Sequence, residues 1–309
     1  MTMNLSDKPV PTFSACFSAM ATYIEAHTDE QKQAPLRVCR RKPTSANFRS
    51  LGKLLLNAWS AEYALRITPV VNDEQYLQSS LHWTFPQAYY STLFSSRAFL
   101  NANGIDVSNE DLVAKHIGWY VMRGFYPPTL GYYGQGGPAP FNCRLPMVDI
   151  PGQDTITKEM ETYLLMNEFM SQTRKKQIKK AFLSVQINPR TALRNGDGEV
   201  LQTLPATAYK AISAKIGYTT FFSLLSRLRI SSTNREIEKL ALQEMDVRVF
   251  HDQLVGIVSH INQVHETHII RKIGEVQYRQ LVAAHAPSYL QESFVRERMD
   301  LICKNEQPA

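Results

Sequence analysis

Long hydrophobic runs are absent from this 309-residue chain, and no window approaches the ~18 uninterrupted apolar residues that a membrane helix needs. The segment from Phe13 to Ile24 is laced with Ser and Thr and is too short to span a bilayer. The first ten residues carry Asp7, Lys8 and Pro9, unlike a secretory signal, so the reading is of a cytoplasmic protein. Cysteine is scarce. Cys16, Cys39, Cys143 and Cys303 lie far apart without a CxxC pair, which argues against a zinc ribbon or a redox motif and suits free thiols in a reducing compartment. No Walker loop, GxGxxG or GxSxG elbow is present, so those modes of nucleotide binding and hydrolysis lack support, and no cofactor or metal is implied. There is no internal repeat and no low-complexity tract. The formal charge of +6 is modest, so composition alone hardly favours nucleic acid, but the cations are clustered and clustering sets a local field.

What the sequence does have is helical periodicity. Phe13, Phe17, Met20 and Ile24 form one stripe, and Phe48, Leu51, Leu54, Leu55, Trp59 and Tyr63 form a second after the basic approach Arg37, Arg40, Arg41, Lys42. Pro86 fits the first turn of a helix that stops at Asn103-Gly104, where Ile105 is placed to fold back in a Schellman cap. Ser108 and Asp111 then fit a capping box for the next helix, and the two together read as an αα-hairpin. Between residues 127 and 152 the period is lost in a segment dense in Gly, Pro and Tyr, a functional excursion or a domain boundary, with packing of its tyrosines over the core as the plainer alternative. Helix resumes near Thr157. Asn195-Gly196-Asp197-Gly198 predicts a short hairpin towards Leu201, and a long helical stretch is expected from Arg235 towards Tyr278.

Two groups of residues invite chemistry. Arg174, Lys175, Lys176, Lys179 and Lys180 place five cations within seven residues of a helix, a surface that could meet phosphates or an acidic partner. A solvated helix end is the alternative. Four histidines fall between His251 and His268, but His265 and His268 are three apart rather than the four a helical zinc motif requires, so surface or interface histidines are the default reading.

The run AYYSTLFSSRAFLNANGI, with Lys115 and His116 following, resembles the HEPN superfamily of helical bundle domains. The matching residues are Tyr89, Tyr90, Arg97, Ala98, Leu100, Gly104, Ile105, Lys115 and His116, about 40 residues in all. The resemblance implies a bundle that often dimerises and, in many members, a metal-independent ribonuclease built on an arginine and a histidine. Such a pair can stabilise phosphate charge and move a proton as the 2′-hydroxyl attacks. The slots where the Tyr-Tyr branch carries those two residues hold Gln87 and Phe94 here, which can do neither. Arg279 and His285 have the family's spacing elsewhere in the chain.

The sequence therefore predicts an all-α protein. It comprises an N-terminal helical region with a HEPN-like bundle (residues 1–126), an irregular loop (127–153) and a second helical region (154–309). The expected function is a non-catalytic helical binding or scaffold subunit, nucleic-acid-associated and, as the resemblance suggests, part of a bacterial defence or toxin-related system. It would act as a homodimer or within a hetero-complex. The alternatives are a ribonuclease using Arg279 and His285, and a structural oligomerisation protein without nucleic-acid contact.

Overall fold

The computed structural model describes residues 13–31, 48–71, 73–136, 142–144, 153–188, 190–203, 205–232 and 246–305. The basic approach at Arg37–Lys42 and the expected helix start at Arg235 lie outside them. The helices are α1 (Phe13–Gln31), α2 (Phe48–Ile67), α3 (Glu74–Ala102), α4 (Glu110–Met122), α5 (Gln153–Ile187), α6 (Ala206–Ile216), α7 (Phe221–Ser231), α8 (Val247–Ile273), α9 (Glu275–His285), α10 (Ser288–Gln291) and α11 (Phe294–Asn305). Two short strands, β1 (Tyr133–Gln135) and β2 (Asn142–Arg144), pair antiparallel, with Gly134 opposite Cys143. The protein is all-α, and among the described residues no helix is long and apolar enough to cross a membrane.

The central helix α3 starts twelve residues before Pro86 and runs through it. Proline there cannot donate to the His82 carbonyl, and an interior proline costs ~3 kcal/mol relative to alanine. Leu77, Leu81, Phe85, Tyr89 and Leu93 nevertheless form one buried stripe at a spacing of four across the break. Burying each large apolar side chain is worth ~1.5–3 kcal/mol, so packing outweighs the local penalty. The end of α3 is the expected Schellman cap: Ile105 N–H donates to Leu100 O (2.9 Å), Gly104 N–H donates to Asn101 O (2.9 Å), and Gly104 has φ 76°. The next cap is one residue later than expected, because Asn109 rather than Ser108 accepts from Leu112 N (3.1 Å).

The hairpin expected at Asn195–Leu201 is reduced to a tight turn with a single Arg194–Val200 bridge, while the Gly/Pro/Tyr segment supplies the paired strands. The described part of that segment packs down: Leu130 and Tyr132 are buried, and Gly134 exchanges backbone hydrogen bonds with Thr219 ahead of α7. The largest apolar cluster gathers α1, α3, α4, α5, α7 and α8, so it draws on chain both before and after residues 127–153. A second joins α2 to the end of α8 and to α9, α10 and α11.

Beside the second cluster lies a buried charge network. Arg298 of α11 donates through Nη1 to Glu266 Oε1 (2.8 Å) and through Nη2 to Glu62 Oε1. Trp59 Nε1 (3.1 Å) and Tyr278 OH (2.7 Å) also donate to Glu266, and Asn262 Nδ2 donates to Glu62 Oε2 (2.7 Å). Burial alone would raise the Glu62 pKa, but Arg298 and Arg66 beside it hold the carboxyl below its ordinary value. This network ties α2, α8, α9 and α11 together.

Candidate functional site

Helix α5 divides cleanly into two faces. Met166, Phe169, Met170, Thr173, Arg174, Ile178 and Phe182 recur at steps of three and four and are buried. Lys175, Lys176, Lys179 and Lys180 project from the other side and are exposed. The pairs Lys175–Lys179 and Lys176–Lys180 are four apart, a like-charge spacing that costs a helix ~0.2–0.5 kcal/mol per pair. From Phe169 to the end of α5 the helix contains no Asp or Glu to offset it, and α6, packed alongside through Ile178, Phe182 and Ile212, adds exposed Lys210 and Lys215 and no acid.

Arg174, expected to belong to this patch, does not. It is 2 % exposed and points inward, donating to Gly217 O (2.6 Å), Ser213 O (2.7 Å) and Ser213 Oγ (2.9 Å). Burial lowers its pKa from the ordinary arginine value, and the carbonyls at the negative end of the α6 dipole take its charge. Ser213 Oγ in turn donates to Gly136 O (2.6 Å), so Arg174 fixes α6 and the β1 segment against α5 and orients the lysine face. A run of like residues in the sequence hides this division, since helical phase alone turns Arg174 to the core and its neighbours to solvent.

The field extends beyond the patch, a signal legible in the sequence through charge segregation. Residues 169–235 hold twelve of the 34 Lys and Arg but only two of the 28 Asp and Glu. That span carries +10, and the remaining chain, with 22 cations and 26 acids, carries −4. Part of this charge is internal. Arg227 lies over the Phe169 ring at 4.3 Å, and Arg229 pairs with Glu110 (3.0 Å). The exposed remainder among the described residues is the lysines of α5 and α6 and, between those helices, Arg190 and Arg194.

Arg279 and His285 sit on α9 six positions apart, a rotation of about 120° from one face of a helix to another. Arg279 is held on the surface by Glu275 (2.8 Å) and Asp300 (3.0 Å). The His285 ring instead lies over Gly52 of α2, and its Nδ1 approaches Leu281 O (3.2 Å). The hydrogen bonds of each residue thus run to different neighbours.

On the Tyr-Tyr helix, Tyr89 is buried and donates to Glu110 Oε2 (2.8 Å), beneath the Arg229 guanidinium at 4.5 Å from its ring. Tyr90 is exposed, and half-buried Phe94 stacks on it with centroids 6.3 Å apart. Gln87 is half-buried, with its Oε1 unpartnered. Arg97 donates to Val107 O (3.0 Å), Lys115 is exposed and His116 is half-buried.

The α8 histidines are core groups rather than surface ones. His251, His265 and His268 are buried. Ser95 Oγ donates to Thr92 O, which leaves it to accept from His265 Nδ1–H (2.9 Å), while Tyr126 OH donates to His265 Nε2 (2.8 Å); the hydrogen-bond network assigns this neutral tautomer. Burial, with His268 nearby, pulls the His265 pKa down to about 3. His260 meets Thr129 Oγ1 (2.8 Å) and is lowered to about 4 by burial. Among the described residues no three His, Cys, Asp or Glu side chains converge as a metal site would require. No protein-family model, curated protein or solved structure matches the chain.

Proposed function

We propose that the protein is a non-catalytic helical binding subunit that engages nucleic-acid phosphates through the exposed lysines of α5 and α6. The observation that carries this reading is the face formed by Lys175, Lys176, Lys179 and Lys180, extended by Lys210 and Lys215, with no acidic residue on α5 from Phe169 onward or on α6. Lysines are point-charge contacts to phosphate and carry no base readout, so binding is sequence-independent and strongly salt-dependent. The Tyr-Tyr helix serves in this reading as the scaffold of a HEPN-like pair, with Gln87 and Phe94 in place of its reactive residues. A defence or toxin-related setting follows only from that resemblance.

The test is fluorescence anisotropy of labelled RNA and DNA duplexes over a salt series. Each lost phosphate contact flattens the slope of log K against log salt by ~0.9 for duplex DNA. The triple variant Lys175→Ala/Lys179→Ala/Lys180→Ala is therefore expected to flatten it by ~2–3. Unaltered binding by a folded triple variant removes this face from the account. Cleavage of mixed RNA by wild type that stops in Arg279→Ala or His285→Ala would replace the binding reading with the ribonuclease one.

A further inference from the structure

The cationic surface does not end at α6. That helix runs into Gly217, whose φ of 78° favours glycine and whose carbonyl accepts from Arg174 of α5. A Cβ built on Gly217 would lie 3.3 Å from Lys115 Cγ, and one built on Gly118 would lie 3.1 Å from Tyr218 Cβ. Tyr218 in turn meets the Tyr133 ring of β1 edge-on, with centroids 5.4 Å apart. Helix α4 therefore abuts the joint that already ties α6 to the lysine helix.

Along α4 and its C-cap, exposed Lys115, Trp119 and Arg123 recur at a spacing of four, which sets them in one row. Trp119 is 42 % exposed. Phe125 backs its ring, with centroids 6.3 Å apart and planes 22° from parallel, and the Arg123 guanidinium lies 5.4 Å from the ring centre. The two stretches of chain that meet here are free of acid, since residues 112–148 and 200–235 contain no Asp or Glu. The acids of α4 stay in its first turn. There Glu110 is taken by Tyr89 and Arg229, and Asp111 lies one turn before Lys115.

Phosphates account for the cations but not for a large exposed aromatic in their midst. Indole rings and guanidinium planes both stack on nucleobases, and aromatics set among cations are the mark of single-strand binding. A duplex keeps its base faces covered by neighbouring pairs, whereas a single strand offers them. We propose that the nucleic acid is single-stranded: its phosphates pass from the lysines of α5 and α6 onto Lys115, and a base stacks at Trp119 beside Arg123. This rests on the phosphate-binding reading and adds to it the class of strand.

Fluorescence anisotropy with labelled oligo(dT), oligo(U), an abasic oligodeoxynucleotide of equal length and a duplex separates bases from phosphates. Wild type is expected to bind oligo(dT) and oligo(U) more tightly than the abasic strand or the duplex. Trp119→Ala should weaken both by about 5–150-fold, with the abasic strand and the salt slope unchanged, and Trp119→Phe should recover part of the loss. Lys115→Ala should instead flatten the slope by ~0.7 on every single strand, the abasic one included. Trp83→Ala, at an exposed indole on α3, should alter neither, and circular dichroism verifies that each variant folds. In Trp83→Phe the remaining indoles are buried Trp59 and Trp119, so quenching by oligo(dT) reports on Trp119 without changing it. Equal loss on the abasic strand, no loss on any strand, or a duplex bound as tightly as oligo(dT) overturns the proposal. Poly-glutamate bound as tightly and with the same dependence on Trp119 would make this a protein surface and overturn it too. The α5 lysine triple variant tells the two failures apart. A flattened slope with Trp119→Ala inert sinks the strand class alone, whereas a slope the triple variant leaves unaltered sinks the phosphate face and this proposal with it.

Discussion

At Gly52 the backbone of α2 comes so close to α9 that a Cβ placed there would lie 2.5 Å from Cδ2, Cε1 and Nε2 of His285. The histidine covers a helix surface, which explains why a six-residue arginine–histidine spacing need not mark a reactive pair. A glycine in a helix is ordinarily worse than alanine by ~0.8–1 kcal/mol. In the His285→Ala background, Gly52→Ala should therefore stabilise the protein by about that amount. In wild type it should fall short of that gain, because the ring must leave its site. Urea denaturation of the two single variants and the double variant gives the coupling directly, and additive effects would show that the ring does not rest on Gly52.

Among elements, α11 shows how one side chain adds a buried charge network to a short helix already packed through Val295, Met299 and Ile302. Arg298 reaches both Glu62 of α2 and Glu266 of α8, and the two carboxylates hold its pKa above the ordinary value against the opposing effect of burial. Arg298→Ala would leave two buried acids short of their partner, and breaking a buried pair in this way costs ~3–5 kcal/mol. Thermal unfolding should register it as a large drop; a shift no greater than that of the surface variant Arg296→Ala would deny the network its role. None of this was legible in the sequence, where Glu62, Glu266 and Arg298 are separated by up to 236 positions and look like three surface charges on amphipathic helices. The local elements were legible because they are decided locally: the Asn103-Gly104-Ile105 stop and the stripes of α1 and α2 need only near neighbours. Pro86 misled for the opposite reason, since its local preference was overruled by burial on both sides. The lysine face was half legible. Its residues were evident, but in a run of like charges the helical phase that sets Arg174 on the buried stripe with Met170 and Ile178 went unread.

For the whole molecule, pH should act chiefly through the buried histidines of α8. His265 is held neutral between Ser95 and Tyr126, with its pKa near 3, and His260 is lowered to about 4, against an ordinary value near 6.5. Between the folded and unfolded values the unfolded chain binds the proton and the native chain does not. Stability therefore declines as pH falls through about 6.5, and each histidine's loss ends near its folded value. Each contributes a slope of up to ~1.4 kcal/mol per pH unit inside that window. His251, lowered by burial, and Glu62, held low by Arg298 and Arg66 despite burial, act in the same direction, the carboxylate only at lower pH. By pH 5 two such slopes remove roughly 4 kcal/mol, a large share of the ~5–15 kcal/mol by which a typical domain is stable. Equilibrium urea unfolding at pH 7.0, 6.0 and 5.0 should show stability falling by ~2–3 kcal/mol per unit once below pH 6. His265→Gln keeps one donor and one acceptor for Ser95 and Tyr126 but cannot titrate, so its curve should start lower and be shallower by up to ~1.4 kcal/mol per unit. A flat wild-type profile, or an equally steep variant, would mean that the His265 site admits a proton in the native state.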